Sequence, residues 1–238
     1  MTELTMQADF TPARKPGQIR GWLEVLSIVL LMPVGGALGG LTGFIPLGPI
    51  LSVALPLLAA TLYLRREGTS WQSLMLGTRL SAGKVVAYTV LALVITSALV
   101  TATSSVLTKL GLPPTDLTLF RTLLEGNLGM YLWFLIPIAW GSAAIGEEML
   151  ARGFLLHRTE GLTGSVMAVV LQAALFGGAH FYQGLTGVIN IFVLALVFGA
   201  VYLRCGRNLL PLILAHGLID TVSLTMIYMG KADLLVGS

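Results

Sequence analysis

Charge is what this chain has least of. Asp, Glu, Lys and Arg make up 11% of its 238 residues, while 55% are hydrophobic and the mean hydropathy is +0.87. A soluble domain carries about a quarter of its residues as charges, and even an apolar helix of a soluble core needs a polar outer face. The run 85–100 has no charged residue on any face, which excludes that class. A single cysteine, Cys205, excludes an internal disulfide. The first twenty residues hold no apolar core and no small-residue cleavage site, so no removable signal peptide is expected. No HExxH sequence is present. The net charge of +3 and pI near 9.2 are explained by cytoplasmic loops of a membrane protein, and nucleic acid is not expected as a partner.

What is present is a series of long apolar runs. They predict an all-α polytopic membrane protein with about seven transmembrane helices, at 22–43, 46–64, 85–107, 128–158, 165–182, 185–203 and 209–229. One or two short interfacial helices are expected beside them, in the mixed stretch 70–84 and at 117–124. Residues 1–20 read as a flexible cytoplasmic tail and 21–238 as a single membrane domain. Gly35, Gly39 and Gly43 recur at four-residue spacing, which suits close packing of membrane helices. The fourth run is unusually long and contains Pro137, where a kink is expected. Loops assigned alternately to the two sides place eleven basic residues with the N-terminus and three opposite, among them Lys109, Arg121 and Lys231. That asymmetry predicts a cytoplasmic N-terminus in the cell membrane.

The fourth run ends in Gly146-Glu147-Glu148-Met149-Leu150-Ala151-Arg152. Acidic residues at membrane depth are costly and mark function by default. Adjacent helical positions point about 100° apart, while positions four apart share a face. Glu148 and Arg152 therefore pair, acid before base, and Glu147 is left without a partner. His180, His216 and Asp220 are further ionisable residues within the spans, and His216 and Asp220 share one face. From a cytoplasmic turn at 160–164, Glu147 lies about 20 Å and His180 about 24 Å away, at about 1.5 Å per residue. His216 lies about 12 Å from the start of its own helix. A lone intramembrane histidine is ordinarily a helix-to-helix hydrogen bond. Several ionisable residues on three spans at matching depth favour one polar site instead.

Glu147-Glu148-x-x-x-Arg152, Phe176-x-x-x-His180 and His216-x-x-x-Asp220, in that order, resemble the motif set of the CAAX protease and bacteriocin-processing (CPBP, or Abi) family. That family includes the type II CAAX prenyl endopeptidases, and the resemblance covers about 70–225. It implies a glutamate-dependent intramembrane endopeptidase that uses no metal and no cofactor. Glu147, helped by His180, would activate water, and His216 with its partner Asp220 would serve the oxyanion. Glu148, Arg152 and Phe176 would support the site. A carboxylate taken out of water becomes a stronger base, in keeping with that role. Some members have Asn where this chain has Asp220. An ionised Asp accepts hydrogen bonds and cannot donate one, so Asp220 is expected to orient His216. The implied partners are the lipid bilayer and a peptide or protein substrate, membrane-associated or lipidated in some members. A zinc protease using the same residues, a transporter and a bacteriocin-immunity scaffold are the rival readings.

Overall fold

A computed structural model describes residues 17–236. The expected tail falls mostly on 1–16, outside the described residues, and its last three residues open the first helix. Ten helical stretches follow one another. They are α1 (Gln18–Gly40), α2 (Leu47–Arg66), α3 (Trp71–Met75), α4 (Ala82–Lys109), α5 (Thr118–Leu124), α6 (Leu128–Thr163), α7 (Ser165–Ala179), α8 (Gly184–Arg204), α9 (Leu210–Tyr228) and α10 (Asp233–Val236). Among the described residues there is no strand, and one isolated antiparallel bridge joins Leu76 to Asn208. The expected interfacial helices are α3, whose first turn is capped by Ser70 accepting from the Ser73 amide, and α5.

Six of these helices are long and apolar enough to cross a bilayer, α8 counting with the short turn before it. Their outward residues, Leu30, Leu58, Val94, Ile136, Leu185 and Val222 among them, are exposed and apolar, as a lipid-facing surface requires. The fifth apolar run behaves differently. Its helix α7 is 15 residues long, about 22 Å at 1.5 Å per residue, against a hydrocarbon core of about 30 Å. The chain then leaves helical geometry at His180 and reverses through Gly184, whose φ is +74°. A non-helical turn at membrane depth is tolerated where it is buried in protein or lines a cavity.

Close backbone approach builds the frame. A Cβ on Gly35 would stand 2.1 Å from the Leu51 carbonyl oxygen, and one on Gly39 would stand 2.5 Å from Leu47 and Gly48. The small-residue face of α1 thus lets α2 lie directly against it as an antiparallel partner. Gly177 does the same for α7 against α8, its Cβ falling 2.9 Å from the Val188 carbonyl oxygen, whereas Gly178 faces open space. The main core is built from α7, α8, α9 and the second half of α6, with Phe198, Tyr202, Leu209 and Leu212 buried in it.

The long helix α6 runs for 36 residues. Its middle is wound as π-helix, over Phe134–Glu147 and again over Met149–Leu156. The disturbance expected at Pro137 therefore takes the form of a change in winding. The pyrrolidine ring clashes with the carbonyl four residues back in an α-helix, and i→i+5 winding moves that carbonyl away. Such winding occurs mostly in single turns, often at functional sites. Here Glu147 ends the first π stretch, and Glu148 is the single α-helical residue between the two.

Candidate active site

Glu148 and Arg152 are both fully buried, and the ion pair read from their spacing is made, with Arg152 Nη1 2.8 Å from Glu148 Oε1. The same carboxylate oxygen receives a second partner, because His216 Nδ1 lies 2.9 Å from it. Against a carboxylate that nitrogen donates, which fixes the ring orientation. Arg152 also donates through Nη2 to the Ala195 carbonyl at 3.4 Å. Its guanidinium lies 5.0 Å from the centroid of Phe176 and 5.2 Å from that of Phe198. The same two rings present themselves to His216 at 6.4 Å and 6.2 Å, edge to face. Two phenylalanines from neighbouring helices thus enclose one charged network and exclude water from it.

The position of α9 makes this possible. A Cβ on Gly217 would fall 2.6 Å from the Trp140 ring, so glycine there lets α9 lie flat on α6. Trp140 Nε1 then donates to Thr221 Oγ1 at 3.1 Å. One residue before that contact, His216 is turned towards Glu148. Asp220 is 28% exposed, and its Oδ2 stands 3.7 Å from His216 Nε2, beyond hydrogen-bond distance. Asp220 was expected to orient His216. The carboxylate that does so is Glu148, 68 residues away in the chain, a contact no sequence spacing could show.

His180 is half-buried at the end of α7. Its Nδ1 lies 2.8 Å from the Phe176 carbonyl oxygen. A carbonyl can only accept, so Nδ1 carries the hydrogen, and in the neutral ring Nε2 is left with a lone pair. The ring lies 5.0 Å from Phe176 and 5.8 Å from Tyr182.

Glu147 is half-buried, and among the described residues no hydrogen bond or ion pair holds its carboxylate. It lines a crevice with Met32 of α1, Leu150 and Leu155 of α6, and Gln172 and Phe176 of α7. The cluster therefore joins Glu148, Arg152, His216 and Asp220 directly. Phe176 links His180 to it, and Glu147 faces it without a bond. Among the described residues no group of three or more His, Cys, Asp or Glu is arranged to hold a metal ion.

Two contributors escaped the sequence. Phe198 is one apolar residue in an apolar helix and carries no signal. Tyr182, at the end of an apolar run, resembles any interfacial tyrosine. Gln172 is fully buried and donates to the Ala195 carbonyl at 3.0 Å, the acceptor that Arg152 also uses.

Residues 129–222 match the family model described as type II CAAX prenyl endopeptidase, Rce1-like. That segment contains Glu147, Glu148, Arg152, Phe176, His180, His216 and Asp220, and the match supports a CAAX-type membrane protease in general. No curated protein and no solved structure matches the chain.

Proposed function

We propose that this chain, whose residues 129–222 match the family model of type II CAAX prenyl endopeptidases, hydrolyses a peptide bond within the membrane with Glu147 as general base. One observation carries the reading: of two adjacent glutamates, Glu148 is committed to Arg152 and His216, and Glu147 is bonded to neither. A carboxylate with free lone pairs in a partly dry site can take a proton from water. His180 contributes the lone pair on Nε2 to hold that water.

In the reaction, Glu147 removes a proton from water as its oxygen bonds to the scissile carbonyl carbon, and the carbonyl π electrons move onto oxygen. His216, its Nδ1–H held by Glu148, donates from Nε2 as the imidazolium to the oxyanion. The C–O⁻ then collapses, the C–N bond breaks, and Glu147 returns its proton to the leaving amine. Glu148 is thus a positioning residue as well as the partner of Arg152. The substrate is a peptide or protein reaching the site from the bilayer or the aqueous phase, and the basic loops put the N-terminus in the cytoplasm. Fusion of a reporter active on one side only to each terminus checks that orientation.

The test is Glu147→Gln, nearly isosteric and unable to act as base. Cleavage should be abolished while the thermal unfolding midpoint holds, and full cleavage by that variant would refute the mechanism. A zinc protease would instead lose activity to chelators, and an immunity scaffold would keep its cellular effect in Glu147→Ala.

A further inference from the structure

We propose that the hydroxyl of Tyr182 is a second donor to the oxyanion, acting with His216; this rests on the reading of Glu147 as the base. Acyl-transfer sites stabilise the developing oxyanion with preorganised donors. Among the residues assembled above, His216 is the one with an N–H to spare. An ionised Asp220 only accepts, and Arg152 is committed to Glu148, the Ala195 carbonyl and the two phenylalanine faces.

Tyr182 follows His180 by two residues, in the turn that ends α7 inside the apolar run. Its ring lies 5.8 Å from that of His180 and 6.2 Å from that of Phe120 in α5. Gln183 Nε2 donates to its oxygen at 3.3 Å, which occupies a lone pair and leaves the phenolic hydrogen to be given elsewhere. The ring contact with His180 puts Tyr182 beside the histidine read as holding the water.

The turn is held firmly. The Asp116 amide donates to the Gln183 carbonyl at 2.9 Å, Thr186 Oγ1 to the Pro113 carbonyl at 2.6 Å, and Asn190 Nδ2 to Thr115 Oγ1 at 3.3 Å. The connector between α4 and α5 thereby clamps the turn from the side opposite the cytoplasmic end. A donor fixed in this way is preorganised, the condition under which a single hydrogen bond matters to rate. Tyr182 keeps its proton throughout. Its hydrogen bond strengthens as C=O becomes C–O⁻ and weakens again when the C–N bond breaks.

The experiment has two stages. Cells making the wild type, Glu147→Gln or Tyr182→Phe are compared for new peptide termini that depend on Glu147. A peptide spanning the strongest such cut then serves as the probe, with full-length protein in phospholipid vesicles. Tyr182→Phe keeps the ring against His180 and Phe120 and loses only the hydroxyl. It should lower kcat about 100-fold, with KM and the unfolding midpoint unmoved. Full kcat in Tyr182→Phe beside an inactive Glu147→Gln overturns the tyrosine assignment alone. A raised KM at unchanged kcat overturns it too, making Tyr182 a substrate contact. Cleavage that survives Glu147→Gln, or no terminus depending on Glu147, defeats the base reading and this proposal with it.

Discussion

Two arginines on α6 are each buried among carboxylates and laid over phenylalanine, and they have become different things. Arg158, near the C-terminal end of the helix, pairs with Glu67 through two contacts of 3.1 Å and with Glu24 at 3.0 Å, over the Phe154 ring at 5.0 Å. Arg20 reaches the same two glutamates from the half-exposed side, at 2.8 Å and 3.5 Å. Two cations meet two anions, and the cluster ties α1, α2 and α6 together. Arg152, deeper in the helix, has Glu148 bonded to it, Glu147 and Asp220 nearby, and an imidazole on the same carboxylate. There the anions are in excess, and among the described residues one of them, Glu147, has no hydrogen bond or ion pair. A balanced cluster has no proton to move, whereas an unbalanced one containing histidine does. Burial alone does not separate structure from function here; the unmatched carboxylate does.

The sharpest way to break the comparison is Glu147→Gln, which removes the unmatched charge and leaves the hydrogen bonds and ion pairs of Glu148, Arg152 and His216 intact. Losing a general base costs about 10²- to 10⁴-fold in rate, to be read as cleavage per folded molecule. Next comes Arg152→Ala. Removing one partner of a buried pair leaves an uncompensated charge and costs about 3–5 kcal/mol. The unfolding midpoint should fall, and cleavage should fall too, since Glu148 loses the partner that holds it against His216. Glu148→Gln should likewise lower both, by weakening one oxygen's contacts to Arg152 and His216 together. A Glu148→Gln protein with wild-type cleavage would show that His216 needs no orienting carboxylate.

Arg158→Ala tests the other side. Its side chain is 5% exposed, so the stability loss should approach that of Arg152→Ala. Cleavage by the molecules that remain folded should be unchanged, because Arg158 lies eleven positions along α6 from Glu147. Equal loss of activity in the two arginine variants would erase the distinction between the clusters.

The sequence carried the membrane fold well because apolar runs of this length have few other uses. Even so, α1 begins at Gln18, four residues before its expected start at Trp22, and α7 stops at Ala179 because the chain reverses at Gly184. A reversal inside an apolar run has no hydropathy signature. The Glu148–Arg152 pair was legible since its partners are four apart on one helix. The bond from His216 to Glu148 was not, being set by how Gly217 lets α9 lie on Trp140. Arg152 and Arg158 were also counted among loop charges, while both are buried in ion pairs. Charge counting cannot tell a solvated arginine from a neutralised one. The π winding of α6 was equally hidden, because no residue pattern distinguishes it from an α-helix with one proline.

The smallest effect sharpens the comparison most. Arg20 is half-exposed and shares its two carboxylates with Arg158, so Arg20→Gln should leave both cleavage and the unfolding midpoint within error. Exposed pairs are screened by salt and contribute little, and Glu24 and Glu67 keep their inner partner. If this cluster is closed and balanced, its outer member is dispensable while its inner member is not, and the contrast between Arg20→Gln and Arg158→Ala is the measure of closure. A large loss in Arg20→Gln would mean that the two glutamates need both cations. The Arg158 cluster would then be as finely poised as the deep one, and charge imbalance would no longer single out Glu147.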